Sequence, residues 1–147
     1  MGTGPNSLRY HINVNALNYP IICFNNKAFY VETDSSNLTR CSAGILKGGW
    51  FRGLLIVDST GQTYRIRDAK KVRTIGFSWS SLIFGPMIEI ALEQDGEPFL
   101  TNIDEVREKM YKSSVRWHGL ESRIGFEELK ELIDRAQSVA ELIQVLL

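Results

Sequence analysis

Five basic residues fall within nine positions of the stretch "DSTGQTYRIRDAKKVRTIGF": Arg65, Arg67, Lys70, Lys71 and Arg73. Cations at that density can hold phosphates, dock on an acidic protein, or keep the outer face of a strand in water. Arg65 and Arg67 are two apart, as are Lys71 and Arg73, so on strands each pair shares a face. If the two strands are neighbours, Arg65, Arg67, Lys71 and Arg73 form one patch. A nucleic-acid platform adds exposed aromatics on which bases stack. Here Tyr64 and Ile66 alternate onto the opposite, core-facing side, and Trp79 is the one aromatic expected to reach the cations. A solvated strand face, with Lys and Arg resisting edge-to-edge association, accounts for most of the pattern.

Catalytic residues are sparse. His11 and His118 are the only histidines, and neither H-x-x-x-H nor C-x-x-C occurs, so a metal site would need scattered single ligands. Cys41 and His118 are a formal nucleophile and base, but Cys41 shares an apolar stripe with Leu38 and Ile45, where a thiol is ordinarily inert. The glycines match neither phosphate-binding loop pattern. Glu127, Glu128, Glu131 and Asp134 are interleaved with Lys130 and Arg135, as on a solvated helix face. These observations point away from an enzyme and call for no metal or cofactor. Trp79 and Trp117 lie in connecting segments, where an indole serves either as an interface anchor or as a cap on the core.

The elements that must position these residues follow from periodicity. Alternation from Leu8 to Asn15 predicts a strand, followed by strands at "YPIICF" and "AFYVE" joined by a turn at Asn25, Asn26 and Lys27. Leu38, Cys41 and Ile45, ended by Gly48 and Gly49, predict a short helix over about 38–47, weakened by Gly44. "WFRGLLIVD" reads as a strand whose centre, Leu54 to Val57, is apolar on both faces and therefore covered on both. "TYRIR" and "KKVRTIGF" are read as two strands with a bend at Asp68 and Ala69, "SWSSLIFGP" as an uncharged aromatic loop, and "MIEIALEQ" as an amphipathic strand. Helices are predicted after the N-cap Asn102, over about 125–136, and over 139–146 behind the Ser138/Glu141 capping box.

The sum is an α+β domain. A strongly twisted antiparallel sheet of about six strands (8–100), with one short inserted helix, packs against about three C-terminal helices (101–147). Residues 1–7 read as a flexible arm, and the apolar side chains are expected to be used up in that packing, leaving charge and a few indoles outside. At 147 residues, 44% hydrophobic and 23% charged, the chain suits one self-sufficient domain. Net charge is zero, yet residues 1–82 carry ten Lys and Arg against four Asp and Glu, and residues 83–147 carry seven against thirteen. That asymmetry favours docking of the two halves on each other, or a partner with a complementary pattern. Two cysteines amid apolar residues, no run of 18 apolar residues and no signal-peptide pattern lead to the expectation of a reduced, cytoplasmic protein without a membrane segment.

The run "AFYVE…LTRCSAGILKGGWFRGLLIVDSTGQTYRIRDAKKVRTIGF" resembles small bacterial α+β proteins encoded beside polymorphic toxins, some of which are immunity proteins. The resemblance covers about residues 20–95 and implies a non-enzymatic protein that covers a toxin domain's active site. Arg65, Arg67, Lys71 and Arg73 would meet an acidic partner, the acidic C-terminal helices a basic one, and Trp79 would anchor. A nucleic-acid or nucleotide-binding module on the same basic face is the alternative, and a small enzyme with a dispersed site is the third.

Overall fold

Ile21, Ile22, Cys23 and Phe24 are all buried, which requires cover on both faces of the strand they form. The computed structural model describes residues 11–25, 28–77, 79, 81–113 and 126–147. Its first part runs β1 (Ile21–Phe24), β2 (Phe29–Glu32), α1 (Ser36–Thr39), β3 (Arg40–Ser42), α2 (Ala43–Lys47), β4 (Leu55–Val57) and β5 (Gln62–Gly76). There follow α3 (Ser81–Phe84), β6 (Met87–Gln94), β7 (Phe99–Leu100), α4 (Ile103–Lys112), α5 (Phe126–Arg135) and α6 (Val139–Leu146). The strands pair antiparallel throughout in the order β2-β1-β4-β5-β6-β3, with β7 added to the start of β5. This is the expected α+β arrangement, with strands first and helices last.

The sheet is curled, and strand alternation divides its apolar residues between two cores. Ile21, Cys23, Ile56 and Ile66 point to the concave side with Ile88, Ile90 and Leu92 of β6, and Leu38 and Phe51 fill that side. Ile22, Phe24, Phe29 and Val57 point the other way, against Val106, Met110, Leu129, Ile133, Leu142 and Ile143 of the three long helices. The closing helices thus cover one face, as expected, while the opposite face closes on itself.

The helices start where the sequence signals them. The Asn102 side chain accepts from the Glu105 N–H at 2.9 Å, and the Ser138 hydroxyl accepts from the Glu141 N–H at 3.1 Å. The Glu141 carboxylate reaches back to the Gln137 N–H at 2.7 Å, completing a box displaced by one residue. Arg107 joins α4 to the end of α5: its guanidinium donates to the Ile133 and Ala136 carbonyls at 3.1 and 2.8 Å and to Asp104 at 2.8 Å. The Ala136 carbonyl thereby gains a cationic donor, and the Ile133 carbonyl a second donor beside the Ala136 N–H, from the charge a helix C-terminus favours.

Several expectations are corrected. Of the strand expected over 8–15, residues 8–10 lie outside the described residues; the remainder forms one bridge, His11 to Glu93, and then a 3-10 turn at Val14–Ala16. The Asn13 side chain accepts from the Asn15 N–H, giving the backbone a local alternative to a ladder. The helix expected over 38–47 is two separate turns of helix with β3 between them. Arg40, Cys41 and Ser42 pair with Glu89, Ile88 and Met87, and Ser42 then caps α2, so Leu38, Cys41 and Ile45 do not share a stripe. Tertiary pairing overrides a weak local preference here. Only Leu55–Val57 of the expected strand 50–58 is extended, because Gly49 and Gly53 take φ of +75° and +73° to fold Phe51 inward.

The largest correction concerns "TYRIR" and "KKVRTIGF". They are one continuous strand of 15 residues, and the bend expected at Asp68 is a register shift within it. β7, unmarked by any pattern, pairs Phe99 and Leu100 with Thr63 and Gln62. The Asn25 turn survives in outline, since the Asn25 side chain accepts from the Ala28 N–H at 2.8 Å; Asn26 and Lys27 lie outside the described residues. Residues 1–7 lie outside them as well.

Candidate functional site

The basic residues sit on β5, but not as one patch. Lys71 pairs with Ile90 and Arg73 with Glu89, neighbours on β6 that face opposite ways, so the shift between Lys71 and Arg73 turns them to opposite sides. Because β5 is a single strand, Arg65 and Arg67 lie far along it from that pair rather than beside it. Four of the five cations are also locally engaged. Arg73 meets Glu89 at 2.6 Å, Arg67 meets Asp95 at 3.6 Å, Lys70 meets Glu93 at 4.0 Å, and the Arg65 guanidinium lies 5.4 Å from the Phe99 ring centre. The acidic half of the chain has supplied the counter-charges, and such exposed pairs leave little net field for a distant anion.

The feature that stands out is apolar. Fifteen strand residues span roughly 50 Å, more than the width of a small domain core, so the far end of β5 has nothing to pack on. Residues 70–75 are all exposed, Val72 and Ile75 among them. Beyond them Phe77 is 78% exposed, Trp79 88%, Leu82 80% and Ile83 78%, forming with α3 an apolar tip to the β5–β6 hairpin. Trp79 does not cap the core. The expectation that only charge and a few indoles remain outside is overturned by Phe77, Leu82 and Ile83 of this tip. Monomers rarely leave such a cluster in water unless something binds it.

The tip is held rather than free to wander. A side chain on Gly44 would come within 2.8 Å of the Phe84 carbonyl oxygen, so α2 and α3 approach backbone to backbone at that glycine. Gly85 follows with φ +84°, and the Ala43 N–H donates to the Pro86 carbonyl at 2.9 Å. Gly44, which counted against a helix in the sequence, is required by this contact.

A second feature adjoins the tip. β2 and β3 are the two ends of the curled sheet, and residues of both line one open cleft of about 640 Å³. Tyr30 and Glu32 come from β2, Arg40 and Ser42 from β3, and Trp50, Phe51, Phe84 and Met87 close the sides. The Tyr30 and Trp50 rings lie 6.1 Å apart, tilted by 34°. Burial holds the Tyr30 phenol well above its ordinary range, and the neighbouring Cys23 and Glu32 add to the effect. Burial likewise keeps the Cys41 thiol protonated, against a nucleophilic role for it, and the proposed base His118 lies outside the described residues, as does Trp117.

A pH prediction arises here. Burial first, and then the charges of Cys23, Asp34 and Glu32, push Tyr19 up to about 12, and Tyr30, Tyr64 and Tyr111 are also raised. A phenol whose folded value exceeds its unfolded value of about 10 stabilises the fold fully below that pH, and the contribution is lost as pH rises through the folded value. Stability should therefore fall between pH about 10 and 12, with phenolate absorbance appearing together with loss of the far-ultraviolet dichroism. Ionisation near pH 10 of more than one of the five tyrosines, Tyr10 lying outside the described residues, with structure intact would show that these environments are wrong.

No protein-family model, curated protein or solved structure matches the chain. Among the described residues no three His, Cys, Asp or Glu side chains gather as a metal site would require, and no helix is long and apolar enough to cross a membrane.

Proposed function

We propose that this is a non-enzymatic protein-binding protein that engages its partner through the hairpin tip. The observation that carries this is the exposure of Phe77, Trp79, Leu82 and Ile83 together at the end of a braced hairpin. Aromatic and aliphatic side chains on a supported projection are suited to entering a groove, where a few buried anchors supply most of the binding energy. Lys71, on β5 six residues before Phe77, is held in no ion pair among the described residues and puts positive charge on the approach to the tip. The partner is accordingly a protein with an apolar groove bordered by carboxylates. Under the toxin-immunity resemblance, that groove is the active-site cleft of a toxin domain, and the tip blocks it sterically. Trp79 keeps the anchoring role expected of it, joined by neighbours the sequence did not single out.

The test is co-expression with the product of the adjacent reading frame. The wild-type chain should restore growth and co-purify in a defined ratio. A Leu82→Asp/Ile83→Asp variant should melt within a few degrees of wild type, since neither side chain is in a core, and bind roughly a hundredfold more weakly. Equal protection and equal affinity from the variant would rule out the tip.

A further inference from the structure

We propose that the cleft between β2 and β3 is a binding site for a small, flat, apolar molecule bearing one anionic group. Its volume, about 640 Å³, lies within the range of small-molecule sites, and the mouth of an incompletely closed barrel is a common place for one. Tyr30, Trp50 and Phe84 offer ring surfaces to a flat body, and Met87 an adaptable wall.

The polar groups choose the charge. The Glu32 carboxylate already accepts from the Asn37 side-chain amide at 3.0 Å. Arg40 lines the cleft, is exposed, and among the described residues has no carboxylate within ion-pairing distance; Glu89, opposite it on β6, is engaged by Arg73. Arg40 is the cation left over at the cleft, with a planar donor fork suited to a carboxylate, sulfonate or phosphate. The Glu32 carboxylate keeps its own charge at the cleft, so a cationic ligand is the direct competitor of the anionic one, and the test sets the two against each other. The site adjoins the tip through Phe84 but is lined otherwise by residues outside it: the apolar end of the hairpin docks a protein, whereas the cleft encloses a small molecule and does not depend on that partner.

The experiment uses the full chain and three probes of one shape: naphthoate, naphthamide and naphthylmethylammonium. Binding is followed by NMR at the Trp50 indole and the Asn37 side-chain amide, which report the cleft and not the tip. Naphthoate should saturate both signals with a dissociation constant below about 1 mM, more tightly than the neutral amide and with the ammonium weakest. Arg40→Ala should weaken naphthoate roughly tenfold and leave naphthamide unchanged, and Trp50→Ala should weaken both. Trp79→Ala should change neither, which separates the cleft from the tip. Absence of saturable shifts, tighter binding of the ammonium probe, or undiminished naphthoate binding by Arg40→Ala would each overturn the proposal.

Discussion

Replacing Asp58 with alanine should lower the unfolding free energy by about 3–4 kcal/mol, the largest effect expected of any single polar substitution in the described chain. Asp58 is fully buried, and its carboxylate organises the β4–β5 turn. One oxygen accepts from the Thr60 N–H at 2.9 Å, the Thr60 hydroxyl at 2.6 Å and the Gln62 N–H at 3.1 Å; the other accepts from the Asn18 amide at 3.2 Å. Alanine leaves all of these donors without their acceptor, in a turn where Gly61 already lies against Thr101 and admits no side chain. Asparagine retains one oxygen but places an amide against Asn18, so Asp58→Asn should fall between the two, about 1–2 kcal/mol below wild type. Urea unfolding with an unchanged slope measures both. A loss under about 1 kcal/mol for Asp58→Ala would mean that water replaces the carboxylate and that the turn is not organised by it.

The second large effect is expected at Arg107. Arg107→Ala should cost about 1–2 kcal/mol, because it takes the charged donor from the Ala136 carbonyl and one of two donors from the Ile133 carbonyl, while the exposed Asp104 carboxylate stays hydrated. Arg107→Lys is the sharper test. An ammonium keeps the charge beside the helix end but lacks the fork that reaches two carbonyls and a carboxylate, so it should recover less than half of the loss. Full recovery by lysine would reduce the interaction to simple charge at a helix terminus. Amide exchange within α5 should accelerate in both variants.

What could be read from the sequence was what short-range chemistry decides. Asn102 and Ser138 announce their helices because capping is a contact between residues three apart. Ile88, Ile90 and Leu92 announce β6 because alternation needs only one buried face. The failures were long-range. Nothing local in "RCS" says that an edge of β6, nearly fifty residues later, will extend it into β3. Asp68 resembles a turn residue and is carried through β5 by a register shift that only β6 imposes. The tip was hidden for a different reason. "SWSSLIFG" is apolar, and hydrophobicity in a sequence does not distinguish a segment destined for a core from one held out in water. The cleft was invisible for the first reason again, since it exists only where β2 and β3, the two ends of the curl, come to line the same space.

β5 gives one ladder to β4 and another to β6 along a single unbroken run of backbone. β5 places Ile66 and Ala69 in the first core only, whereas β1 and β4 put alternate residues into both, so these two short strands are what tie the cores together. A substitution that unseats β1 or β4 is therefore felt on both sides of the sheet at once.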